Sequence, residues 1–150
     1  MKKILLSITI IAALALQSCD KDDSPGDNHD LSNTLPPYVA LSSTAAKTVK
    51  QGASTTVTFQ LRTSLQQPVT VTYDVVGGGV NMTNQTAVID RDKVSVVATV
   101  AIPNNVIVPP ATSAQATLTL VKATKTDGTM LTIGSKNTPA TQKVVITITQ

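Results

Sequence analysis

The stretch Thr55-Thr56-Val57-Thr58-Phe59-Gln60-Leu61, followed after a Gln66-Gln67-Pro68 break by Val69-Thr70-Val71-Thr72-Tyr73-Asp74-Val75, carries the clearest pattern in the sequence. In both runs apolar and polar residues alternate. Val57, Phe59 and Leu61 oppose Thr56, Thr58 and Gln60, and Val69, Val71, Tyr73 and Val75 oppose Thr70, Thr72 and Asp74. Successive side chains of a strand point to opposite faces, so a period of two predicts strands with one face buried and one wet. The density of Thr and Val supports this, because β-branched side chains fit a pleated, half-buried surface.

The same alternation recurs on the C-terminal side. It is seen at Val94, Val96, Ala98, Val100 and Ile102, at Ala116, Leu118 and Leu120, and at Val144, Ile146 and Ile148, where Thr147 and Thr149 face outward. Short strands are expected at Tyr38 to Leu41, Lys47 to Val49 and Ala87 to Ile89. Turn residues separate the runs: Gln51-Gly52, Gly77-Gly78-Gly79, Pro103-Asn104-Asn105, Pro109-Pro110, Asp127-Gly128 and Asn137-Thr138-Pro139. Seven or eight short strands with no stretch of helical spacing predict an all-β fold, an immunoglobulin-like Greek-key β-sandwich over residues 38–150.

The segment before it has a different composition. Lys2 and Lys3 precede an apolar run from Ile4 to Leu16, the arrangement of a signal peptide over residues 1–18. Thirteen helical residues reach only about 20 Å, short of the roughly 30 Å hydrocarbon core, so the run is too short for a permanent span. Leu16-Gln17-Ser18-Cys19 resembles a bacterial lipobox. The resemblance implies that Cys19, the one cysteine, carries lipid (a diacylglyceryl group and palmitate-like acyl chains) and anchors the mature protein to a membrane. Multiple acyl chains hold far more durably than one, since each buried methylene contributes about 0.8 kcal/mol.

Lys21-Asp22-Asp23 directly follows and resembles the acidic export signal of Bacteroidota-type surface lipoproteins, which implies display on the outer face of the outer membrane. Two alternatives stay open: an ordinary solvated tether, and a domain facing the periplasm. Residues 19–37 hold five Asp, three Pro and scattered Asn and Ser, with apolar residues only at Leu31 and Leu35. That composition predicts a disordered acidic tether.

The strand sequences from Thr56 to Leu61, Gln67 to Asp74, Val94 to Asn105, Ala116 to Leu120 and Val144 to Ile148 resemble, in order, the Calx-beta domain, an immunoglobulin-like family. The resemblance spans roughly residues 45–150 and rests mostly on strand alternation. Calcium-binding members of that family cluster carboxylates in loops at one end of the sandwich, because Ca²⁺ takes six to eight oxygen ligands. Here the corresponding loops read Pro103-Asn104-Asn105 and Pro109-Pro110-Ala111-Thr112-Ser113, without charge. Asp90 and Asp92, flanking Arg91 in an expected hairpin turn, are the remaining candidate calcium ligands. Their other reading is a turn whose side chains cap backbone amides.

Composition narrows the function. The chain has 150 residues, formal charge +3, one His, one Cys and no Glu or Trp. With its single imidazole, His29, in the tether, it lacks convergent acid, base and nucleophile candidates, so no enzyme and no resident cofactor are expected. Gly77-Gly78-Gly79 lacks the Lys-Ser/Thr of a phosphate loop. Asn81-Met82-Thr83 and Asn84-Gln85-Thr86 spell glycosylation acceptors, an accidental match in a bacterial lipoprotein. Residues 38–150 carry nine basic against four acidic residues, scattered and without an aromatic row, which argues against nucleic acid. Phe59 and Tyr73 fall on apolar faces, leaving Tyr38 as the candidate platform for a ligand. The expectation is a non-catalytic binding, adhesion or structural module. Its partner is a protein, a polysaccharide of a glycan-uptake system, or calcium acting as a stiffener.

Overall fold

The computed structural model describes residues 36–134 and 141–150. They form nine strands: β1 Tyr38–Leu41, β2 Lys47–Lys50, β3 Ser54–Leu61, β4 Val69–Gly77, β5 Val80–Ile89, β6 Ser95–Ala101, β7 Ser113–Lys125, β8 Met130–Ile133 and β9 Lys143–Thr149. One sheet runs β8-β1-β3-β6 and the other β2-β9-β7-β4-β5. The short leading segment is split between them. β1 pairs antiparallel with β3 in the first sheet, and β2 pairs parallel with β9 in the second. β8 also pairs with the end of β7, so the two sheets join along one side.

The apolar faces found in the sequence meet between the sheets. Val57, Phe59 and Leu61 of β3 and Val69, Val71, Tyr73 and Val75 of β4 are all buried. The Phe59 and Tyr73 rings lie 5.2 Å apart at a 40° tilt, locking β3 against β4. Ala116, Leu118 and Leu120 of β7 and Val144, Ile146 and Ile148 of β9 complete the layer. Each buried Val, Leu, Ile or Phe among them contributes about 1.5–3 kcal/mol by leaving water. Among the described residues no buried side-chain nitrogen or oxygen lacks a hydrogen-bond partner.

Several expectations need correction. The described residues hold nine strands, because Met130–Ile133 forms a strand of its own, and β5 extends well beyond Ala87 to Ile89. Val94 is half exposed, not buried, because it precedes β6, and the inward pattern starts in earnest at Ala98. Asp90 and Asp92 do not sit in a hairpin. β5 pairs only with β4 and β6 only with β3, so the connection between them crosses from one sheet to the other.

Two bulges depart from plain alternation. On β5, Thr83 and Asn84 together oppose Asp74, and Asn84 takes a left-handed conformation with φ 55°. Its N–H donates to Asp74 Oδ1 at 2.7 Å, so the carboxylate holds the bulge. On β7, Val121 is the extra residue between the Tyr73–Leu120 and Thr72–Lys122 pairs. That insertion puts Leu120 and Ala123, three apart, on the same buried face.

Candidate functional site

Tyr38 is the first residue of β1 and is half-buried on the outer face of the first sheet. The register Val39–Leu61 and Ala40–Gln60 sets Tyr38 against Arg62, and the Arg62 N–H donates to the Tyr38 carbonyl at 3.1 Å. The guanidinium carbon lies 5.8 Å from the centre of the Tyr38 ring, a cation–π stack. Two residue pairs further on, the small side chain of Ala40 lies beside Gln60 on the same face. The resulting groove of about 290 Å³ is lined by Tyr38, Ala40, Leu41, Ser42, Gln60 and Arg62.

Arg62 has no carboxylate partner among the described residues. The two ion pairs there are Arg91–Asp92 and Lys125–Asp127. The groove therefore offers an aromatic face, a guanidinium fork, an amide and a hydroxyl. These groups bind and orient, whereas Ser42 has no imidazole or carboxylate among the groove residues to activate it. The sequence had pointed to Tyr38 but not to Arg62, Gln60 or Ser42. Arg62 follows directly on β3, but only the pairing of β1 with β3 shows that it faces Tyr38.

The side chains of Asp74, Asp92 and Asp127 are each held by hydrogen bonds. Asp92 has φ 62°, and its N–H donates to the Leu65 carbonyl. Its carboxylate accepts from Gln66 Nε2 at 2.8 Å and lies 3.3 Å from Arg91 Nε, while an Arg91 terminal nitrogen donates to Gln66 Oε1 at 2.8 Å. Asp92 thus closes a small ring with Gln66 and Arg91. From Asp90, the backbone carbonyl accepts the Lys93 N–H.

Asp127, in the turn from β7 to β8, accepts from the Thr129 N–H at 2.8 Å and from Gln67 Nε2 at 3.1 Å. The hydrogen bonds from Thr129, then Gln67, and the nearby Lys125 hold its carboxyl well below the usual carboxylate range. Gln66 and Gln67, read in the sequence only as turn residues, thus link three connections. Among the described residues no group of three or more His, Cys, Asp or Glu side chains could hold a metal ion. The loops that the Calx-beta resemblance would make acidic lie at the opposite end, beside the Gly77–Gly79 turn. Cys19, the Lys21-Asp22-Asp23 signal and His29 lie outside the described residues.

These features define an all-β immunoglobulin-like sandwich with a polar groove on one outer face. No family model matches the chain, and no curated protein matches it. Among solved structures, the chain is similar to the apo form of the Calx CBD1 domain at 7% identity and a TM-score of 0.55, over 76% of this chain and 96% of that one. It is also similar to CBD12 from CALX1.2 at 8% identity and a TM-score of 0.52, over 74% of this chain and 43% of that one. The chain therefore spans less than half the length of that second protein. At such identity the likeness establishes a Calx-beta-like fold.

Proposed function

We propose that this chain is a non-catalytic binding module, lipidated at Cys19 and displayed at the cell surface from the outer membrane, whose Tyr38–Arg62 groove takes an acidic polysaccharide. The observation that carries the ligand is the Arg62 guanidinium, stacked on Tyr38 and without a carboxylate partner among the described residues. A sugar ring stacks on an aromatic face, and a carboxylate on that sugar takes a planar guanidinium in bidentate fashion. Gln60 and Ser42 add the donors and acceptors that sugar hydroxyls require.

A binding role is supported by what lines the groove: an aromatic ring, a guanidinium, an amide and a hydroxyl, groups that hold and orient a ligand. Membrane display is supported by the signal-like N-terminus, the lipobox-like Cys19 and the acidic Lys21-Asp22-Asp23. Co-sedimentation of the full chain with polygalacturonate, against neutral dextran, tests the ligand. Binding to the acidic polymer alone is expected, with loss in Tyr38→Ala and Arg62→Ala and retention in the Lys47→Ala, Lys50→Ala pair. Equal binding to both polymers would overturn the groove assignment. For display, an external protease should reach the domain on intact cells and should fail to when Lys21, Asp22 and Asp23 are all alanine.

A further inference from the structure

Among the described residues three strands end a sheet: β2, β5 and β6. Two of these edges are blunted in the ways that keep proteins from pairing edge to edge. β2 has four residues with Lys47 and Lys50 at its ends, and β5 is broken by the bulge at Thr83 and Asn84. β6 has neither protection. Its seven residues, Ser95-Val96-Val97-Ala98-Thr99-Val100-Ala101, carry no charge, proline or glycine, and its register with β3 is unbroken. Val97 at the middle of its outer face is 60% exposed.

The backbone bonds show which groups are open. The Val94 carbonyl accepts from Leu61, and Ile102 exchanges bonds with Ala53 and Gly52, so the even-numbered residues face β3. In an antiparallel strand the N–H and C=O of one residue point the same way and alternate along the chain. Ser95, Val97, Thr99 and Ala101 therefore present their N–H and C=O groups to the open edge.

We propose that β6 pairs antiparallel with β6 of a second copy of this chain, about a two-fold axis through Ala98. That register is self-complementary. Ser95 faces Ala101 of the second copy and Val97 faces Thr99, each pair exchanging two bonds, about eight new backbone hydrogen bonds in all. Ala98 faces its own counterpart at a non-hydrogen-bonded pair, where the Cα atoms approach to about 4.5 Å and a methyl group fits. The nearest charges, Lys93 and Asp92, fall opposite Pro103 and Asn104, so no like charges meet.

The pairing makes one continuous sheet from the two β8-β1-β3-β6 sheets, with their outer faces on the same side. The two Tyr38 strands then lie five strand spacings apart, roughly 24 Å laterally, and the pair of grooves is bivalent toward a polymer. The pairing itself does not depend on what the groove binds.

The test is the molecular mass of the full lipidated chain in detergent by analytical ultracentrifugation, over a wide concentration range. The wild type is expected to form a dimer. The double Val97→Lys, Thr99→Lys variant sets two pairs of like charges face to face at exposed positions, and should weaken the dimer at least about tenfold with an unchanged melting temperature. Either single lysine, facing a neutral residue, should weaken it less. Ala98→Cys should give a disulfide-linked dimer on oxidation. If that variant misfolds, co-expressed Val97→Cys and Thr99→Cys chains make the equivalent link from the outer face. A monomeric wild type at the highest concentration, a double-lysine variant as dimeric as the wild type, or a cysteine link to a chain of another mass would each overturn the proposal.

Discussion

The two ends of the sandwich are built on different principles. At one end the β3–β4, β5–β6 and β7–β8 connections meet, and Asp90, Asp92 and Asp127 lie there with Gln66 and Gln67 between them. Side chains tie that end together. At the other end the β2–β3 and β4–β5 turns and the long β6–β7 connection meet without a carboxylate. Backbone shape and amide groups do the equivalent there. Gly78 and Gly79 form a two-residue hairpin turn with φ 57° and 83°, the left-handed pair that matches strand twist. Gln51 Oε1 accepts the Ile107 N–H, and the Gly52 N–H donates to the Ile102 carbonyl. Asp92 and Asp127 therefore serve as ties between loops, each accepting from a glutamine of the β3–β4 connection, whereas the other end is held by glycine turns and amide groups.

The largest loss of stability is expected at the glycine end. At Gly78 an added Cβ would lie 2.8 Å from the Gln115 carbonyl oxygen and 3.0 Å from the Ala114 Cβ, at a φ that L side chains rarely adopt. Gly78→Val is expected to cost about 2–3 kcal/mol, read from urea unfolding. A cost near zero would mean that the turn is free to rearrange.

A smaller effect is expected at the tied end. Asp127→Ala removes the acceptor for Thr129 and Gln67 at an exposed position and should lower the melting temperature by less than Gly78→Val does. The same carboxylate sets an acid limit. Its pKa in the fold is depressed, so its stabilisation is complete above the ordinary aspartate value near 3.9, and is lost as pH falls through the lower folded value. Wild type should therefore lose stability below about pH 4 more steeply than Asp127→Ala. At the alkaline side, burial raises the Tyr73 phenol, so its contribution holds up to the ordinary tyrosine range near 10 and fades above it.

The smallest expected effect is that of calcium. The Asp92 oxygens already engage Gln66 and Arg91, and no third ligand joins Asp90 and Asp92 among the described residues. Millimolar calcium should leave the melting temperature of wild type and of Asp90→Asn, Asp92→Asn unchanged. A rise seen only in wild type would restore calcium as a stiffener.

How much of this was legible in the sequence depended on how local the cause was. Val57 to Leu61 and Val69 to Val75 declare their buried faces by alternation alone, because both strands lie inside their sheets. β5 reads as mostly polar because it is an edge strand, buried chiefly at Val80 and Ile89. β8 has four residues, and its burial depends on pairing with β1, some ninety positions earlier in the chain. The Val121 bulge shifts the period within β7, which no alternation rule anticipates. In the groove, Tyr38 was visible as an aromatic residue without an apolar-face assignment. Arg62 was not, because its role comes from the β1–β3 register.

The most direct test of the groove is a matched titration of the full chain with galacturonate oligomers and with neutral galactose oligomers of equal length, in wild type and Arg62→Gln. The account predicts that wild type prefers the acidic oligomer by about tenfold or more, the scale of a charge-assisted bond to guanidinium, and that Arg62→Gln removes the preference while keeping the melting temperature. Equal affinity for the two oligomers, or a preference that survives the loss of Arg62, would contradict it.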